Sequence, residues 1–308
     1  MKRLVYAIIA LILTNNICGA TPMEAKEETN NNAAYEITMK QDILVFMMAY
    51  PEYVVNAQKG EGGKVYLIMK SGKKILYDDM KKKSQDEKFY NADLQDVLEQ
   101  VYPLNHDGGL MDINYDPGRV RNYQLLNEVY GYSNEGISKN LVNVSGGGGN
   151  HRFNKNNGAA DSLKKALKEL AAKDVQKSTA QGDYLFPING TFNYRQISGT
   201  GLLSPHAYGI ALDLSSNSKD YWKWANRQEG EKRMKAYPKA TVNIFENNNF
   251  VWGGKWGHFD ILHFEYRPEI IIKAKYFGDN KERKVWYEGV PIDENIKGYI
   301  NNIENSLK

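Results

Sequence analysis

Apolar and polar positions follow two different periods along this chain, and the change of period divides it. From about 38 to 56 the run DILVFMMAYPEYVVNA is so dense in apolar residues that it predicts a buried helix, stopping near Pro51 because proline disfavours helix at the residue before it. GGKVYLIM and KKILYDD then read as two strands of a hairpin, joined by Lys70-Ser71-Gly72-Lys73 with glycine where positive φ is easiest. Leu94, Val97, Leu98 and Val101 return to helical spacing, and a weaker helical pattern runs through Tyr123, Leu125, Leu126 and Val129.

The clearest helix spans Asp161 to Lys173, with Leu163, Ala166, Leu167, Leu170 and Ala171 on one face and lysines on the other. Beyond it the pattern shortens into strand-like pieces, DYLFPI, GTFNYRQI and GIALDL, followed by a helix from about Ala240 to Asn248 that ends in an Asn-rich cap before FVWGG. Helices first and short strands later predict an α+β fold, a small antiparallel sheet with helices packed on it, rather than a doubly wound sheet. SGGGGN at 145–150 has the composition of a linker, but the Asn-rich turn RFNKNNG follows at once, and a glycine loop inside one domain accounts for both.

The start of the chain changes this picture. Lys2 and Arg3 precede an apolar run from Leu4 to Leu13, too short to span a bilayer, and Cys18-Gly19-Ala20 offers small residues for cleavage before Thr21. Residues 1–20 therefore read as a signal peptide and the protein as exported, to the periplasm or the extracellular cell envelope. Cys18 lacks the small residues expected ahead of a lipid-modified cysteine, so it leaves with the signal. The mature chain then has no thiol, which excludes cysteine-ligated metal, a thiol nucleophile and disulfides. TPMEAKEETNNNAAY, 21–35, is polar and aperiodic and reads as a flexible lead-in.

The chain of 308 residues carries a formal charge of +3, and loss of Lys2 and Arg3 leaves 38 basic against 37 acidic residues, a formal +1. Such a balance gives no case for a nucleic-acid partner. The lysines of MKKKSQDEK, 80–88, are mixed with acids and read as a solvated turn or helix end.

The candidate chemistry lies in SPHAYGIALDL, 204–214, and WGGKWGHFDILHFEY, 252–266. His206, Asp213 and His263 make a set of two imidazoles and one carboxylate, which leaves a coordination position open on a zinc ion. Asp260 is a further carboxylate close by. A charged Asp inside Ile210-Ala211-Leu212-Asp213-Leu214 is costly unless it is paired or bound to metal. His206 and Asp213 are seven apart, and Asp260 and His263 three apart, so a flat strand would turn each pair to opposite faces. His206 is therefore expected on a loop bent at Gly209, and a bend is required between Asp260 and His263. His258 could replace His263 as ligand, hydrogen-bond a substrate, or sit in the rim as ordinary polar packing.

SPHAYGIALDL resembles the SxHxxGxAxD signature of zinc D-alanyl-D-alanine carboxypeptidases, and DILHFEY resembles their acid-x-x-His closing motif, within the LAS-type metallopeptidases that also include lysostaphin-type peptidases and the amino domain of hedgehog. Asp in place of Glu before the final His, with WGG ahead and HFE behind, is most similar to the L-alanyl-D-glutamate endopeptidase branch. The resemblance runs over about 185–270 and back to 150, and NYDPGRVRN at 114–122 also resembles a segment found beside such domains.

By position, the resemblance implies that His206, Asp213 and His263 bind Zn2+, that Asp260 is the general base, and that Arg195 stabilises the carbonyl oxygen or binds a substrate carboxylate. Ser204 and Tyr208 would orient the first ligand or line the pocket, with His258 as a further substrate contact, and Glu265 is one candidate acceptor for the second N–H of His263. Trp252 and Trp256 read as core or pocket wall. The implied organisation is a signal peptide at 1–20, a lead-in at 21–35, a helical and hairpin region at 36–145, a zinc peptidase domain at 146–275 and an extension at 276–308. The implied activity is hydrolysis of peptidoglycan stem peptides by a protein with no membrane span after signal cleavage. The competing expectation is an envelope-binding module that keeps the zinc site without catalysis, for which Asp260 would be superfluous.

Overall fold

A computed structural model describes residues 22–105, 109–172, 186–279 and 281–308, with side chains from residue 32 onward. The expected signal segment, Cys18, and the first half of DYLFPI, residues 183–185, lie outside these residues. Residues 39–308 form one compact unit.

Helix α1 runs Pro22–Ala49. The stretch expected as an irregular lead-in is thus helical, because Glu, Ala and Lys are strong helix formers even without an apolar face. Within the compact unit Ile43 to Met47 and Tyr50 are fully buried, as their density predicted. The chain leaves the helix at Pro51 and, against expectation, enters a strand at once. Strand β1 (Val54–Lys59) pairs antiparallel with β2 (Val65–Met69), which pairs with β3 (Lys74–Leu76) across the Lys70–Lys73 turn. Two short helices follow, α2 (Gln85–Asn91) and α3 (Leu94–Leu98), each started by a reciprocal capping box, Ser84 with Glu87 and Asp93 with Asp96. Then come α4 (Tyr123–Tyr130) and α5 (Asn134–Ser138).

The glycine loop is the tip of a hairpin that the pattern did not reveal, β4 (Leu141–Gly146) with β5 (Gly149–Asn154). Val142 and Asn143 are exposed and Val144 buried, so the alternation that marks a half-buried strand is too broken to read. Helix α6 (Ala159–Ala172) buries Leu163, Ala166, Leu167 and Leu170 of the predicted stripe, whereas Ala171, in its last turn, is exposed. GTFNYRQI makes no strand: only single bridges tie Gly190 to Asp213 and Gln196 to Leu203.

The remaining elements build the layer that carries the site: α7 (Pro205–Tyr208), β6 (Ala211–Asp213), α8 (Arg227–Ala236), α9 (Lys239–Asn247), β7 (Phe250–Trp252), β8 (His263–Tyr266), α10 (Pro268–Phe277) and α11 (Glu294–Ser306). The strands form an antiparallel sheet in the order β6-β8-β7. Phe264 and Tyr266 of β8 meet an aromatic core supplied by α9 and β7: Phe245 lies 4.4 Å from Phe264 between ring centres, and Phe250 lies 5.5 Å from Tyr266. Alternation then sends His263 and Glu265 to the opposite face. The protein is α+β, with helices packed on small antiparallel sheets. Among the described residues no helix is long and apolar enough to cross a membrane.

Candidate metal centre

Register sets the first two candidate ligands. In the β6–β8 ladder Asp213 is the direct partner of His263, and cross-strand partners project from the same face. The third ligand arrives on a helical turn, not on the loop expected from strand parity. Ser204 caps α7, accepting from the His206 N–H at 3.3 Å, Pro205 occupies the first turn, and Gly209 closes it in the left-handed region at φ 68°. The left-handed conformation favours glycine there, and a Cβ would also displace the Leu141 side chain, whose Cδ2 would lie 2.5 Å away.

The three ligand atoms converge. His263 Nδ1 lies 3.0 Å from Asp213 Oδ1, His206 Nε2 lies 3.2 Å from the same oxygen, and the two nitrogens are 3.3 Å apart. Metal–ligand bonds near 2.0–2.1 Å in a tetrahedral site put ligand atoms roughly 3.3 Å from one another, so these residues fit a single ion. The second nitrogen of each ring faces an acceptor: His206 Nδ1 meets the Thr191 carbonyl at 2.8 Å, and His263 Nε2 lies 3.7 Å from Glu265 Oε2. That leaves His206 Nε2 and His263 Nδ1 free to ligate.

The electrostatics agree. Burial works to raise the Asp213 carboxyl, but hydrogen bonds and charge from His206 and His263 outweigh it and hold Asp213 well below the usual carboxylate range. Burial would depress His263, yet Asp213, Glu265 and Asp260 together push it up to about 10 in the metal-free site.

Asp260 stands just ahead of the predicted bend, its carbonyl accepting from the His263 N–H at 3.1 Å. Its own N–H donates to Gly253 at 2.9 Å, and a Cβ at Gly253 would come 2.5 Å from the Asp260 oxygen, which explains the WGG before it. Among the described residues no donor reaches the Asp260 carboxylate. Burial and the nearby Asp213 raise it to about 6, against the partial offset of His263, His206 and Arg119.

These groups share a cavity of about 850 Å³ lined by His206, Asp213, His263, Asp260, Ser204, His258 and Arg195. Arg195 is exposed at its edge. His258 is no ligand here, since Asp116 takes its backbone N–H at 2.9 Å and pairs with its Nδ1 at 2.7 Å. Tyr208 faces away from the cavity, its hydroxyl donating to Asn127 at 2.7 Å. Trp252 is core, while Trp256 lies in the wall, donating to the Pro117 carbonyl at 2.8 Å.

Residues 115–121 bring groups that the two motifs do not contain. Arg121 grips Glu265, with Nε 2.9 and 3.1 Å from its two oxygens, and so anchors the carboxylate behind His263. Burial opposes the Glu265 charge, but Arg121 dominates and holds it well below the usual range. Arg119 and Asp116 reach the cavity itself. Only the resemblance of NYDPGRVRN hinted at this segment.

Residues 198–266 match the family model described as D-alanyl-D-alanine carboxypeptidase. The match supports the family named from the two motifs and contains His206, Asp213, His263 and Asp260, but neither Arg195 nor Arg119. Comparison with curated proteins and with solved structures gave no match.

Proposed function

We propose that this chain is an exported zinc-dependent peptidase that hydrolyses peptidoglycan stem peptides, as a D-alanyl-D-alanine carboxypeptidase or an L-alanyl-D-glutamate endopeptidase. The observation that carries the reading is the ligand triangle of His206, Asp213 and His263 beside a carboxylate, Asp260, that no donor among the described residues holds. Zinc in such a site supplies a Lewis acid and makes water acidic enough to attack near neutral pH. Asp260, raised to about 6, is matched to take the proton from the attacking water and return it to the leaving amine. Arg195 at the cavity edge has the planar charge to stabilise the carbonyl oxygen as it becomes anionic. A module that only bound the envelope would have no use for Asp260.

Mass spectrometry of muropeptides digested with the protein, with and without chelator, tests this directly. The expected result is cleavage lost on chelation and restored by zinc, with the product mass naming the bond. Cleavage that ignores the chelator removes the zinc reading, and no cleavage in zinc removes the enzyme.

A further inference from the structure

Among the described residues four arginine and lysine side chains line the catalytic cavity, and they differ in what already holds them. Arg121 is saturated by Glu265, and Arg195 and Lys223 are exposed. Arg119 is the fourth. Its side chain is three-quarters buried, and its only hydrogen bond among the described residues runs from Nη1 to Asp116 at 3.4 Å. Asp116 does not depend on that long contact, because His258 already supplies it with two closer donors at 2.9 and 2.7 Å. The guanidinium lies over the Phe89 ring, 4.8 Å from its centre, so one face is shielded while most of its N–H groups have no partner among the described residues. Burial lowers its affinity for a proton and Asp116 restores part of it. An arginine remains charged under such conditions.

The turn that bears Arg119 is braced for position. Arg119 N–H closes it on Asp116 at 2.9 Å, buried Arg267 donates to the Gly118 and Val120 carbonyls at 2.7 and 3.1 Å, and the Gly257 N–H donates to Tyr115 at 2.8 Å. These bonds tie the turn to the chain on either side of the motif containing Asp260 and His263. A partly desolvated cation with unused donors, fixed on the wall of a peptidase cavity, suits a planar anion.

We propose that Arg119 binds a carboxylate of the substrate and so selects for acidic peptides, a role distinct from that of Arg195 and resting on the reading of the cavity as a peptidase site. The stem peptide offers such groups in the α-carboxylate of its D-glutamate and in its terminal D-alanine.

The test is calorimetric binding of acetyl-L-Ala-γ-D-Glu-L-Lys-D-Ala, as free acid and with both carboxyls amidated, to zinc-loaded Asp260→Asn protein with and without Arg119→Gln. The expected result is a loss of roughly 10- to 100-fold for the free acid and none for the amide. The amide should bind the parent as weakly as the free acid binds the Arg119→Gln variant. Equal losses for both peptides, no loss for either, or no binding of the free acid to the parent overturns the proposal. Zinc content and circular dichroism report whether the variant is folded. Should the Gln variant fail to fold, Arg119→Lys takes its place, with a smaller loss expected for the free acid alone. Binding by this pattern with no muropeptide cleavage by the wild type would sink the peptidase and leave the carboxylate site standing. Cleavage with unaltered KM in Arg119→Gln would do the reverse.

Discussion

Among the described residues two groups of side chains bring ligand-type atoms within reach of one ion: His206, Asp213 and His263, and the acidic group Asp78, Asp79 and Asp93. They differ in where the positive charge comes from. In the second group Lys83 places its ammonium 3.1 Å from Asp79, 2.7 Å from Asp93 and 2.6 Å from Asp96, so the chain supplies its own cation. Burial opposes the Lys83 charge, but its carboxylate partners prevail and raise its pKa well above the usual lysine range. In the first group the carboxylate meets only two imidazoles, whose ligating nitrogens can be vacated by deprotonation. Proximity alone does not make a metal site; an internal cation closes one group and titratable imidazoles keep the other open.

The strongest way to break this contrast is His263→Ala, expected to abolish stoichiometric zinc binding and to lower cleavage by at least about 1,000-fold. Zinc content by mass spectrometry, alongside rates, decides it, and zinc retained at one per chain would remove His263 from the site. Asp260→Ala is expected to keep its zinc and lose roughly 100- to 10,000-fold in rate. Product release as fast as wild type by a zinc-replete variant would end the role of Asp260 as base.

Glu265→Gln weakens the acceptor behind His263 and strands Arg121, and a drop of about 10- to 100-fold in zinc affinity is expected. Competition with a chelator of known affinity measures it. Lys83→Met should leave zinc stoichiometry at one and destabilise the fold by about 1–3 kcal/mol, read from denaturant unfolding. A change in zinc content there would show that the two groups are not independent.

The pH dependence follows from the same contrast. His263 has a folded pKa raised to about 10 in the metal-free site, so its contribution to stability is complete below its unfolded value near 6.5 and is lost as pH rises through 10. Asp260 is also raised, to about 6, and its contribution is complete below about 3.8 and lost as pH rises through 6. The chelated protein should therefore unfold more easily at pH 9.5 than at pH 7. Zinc requires neutral His263, so saturating zinc should reverse or flatten that loss, and binding at pH 7 should release about one proton. Calorimetry in buffers of different ionisation heat counts it, and zero release would contradict the charge assigned to His263.

Much of this centre was legible before folding. Strand parity demanded a bend between Asp260 and His263 and a change of element between His206 and Asp213, and both occur. Ser204, Pro205 and Gly209 instead start and close the helical turn α7 where a loop bent at Gly209 was expected. The hairpin β4–β5 was hidden because its alternation is broken by exposed Val142. The links Arg121–Glu265 and Asp116–His258 had no local signal at all, since their partners stand 144 and 142 positions apart.

By itself, then, the sequence determined the chemical inventory: which imidazoles and carboxylates exist, the family motif that groups them, and a single cysteine, Cys18. Only the tertiary structure decided which nitrogen of each histidine is left without a second-side acceptor and so could ligate, that Tyr208 turns away, and that residues 115–121 join the cavity. The physical reason is that periodicity encodes the face a side chain takes on its own element. Which distant charge meets it is set by the register of β6 on β8 and by the packing of a turn far away in the chain.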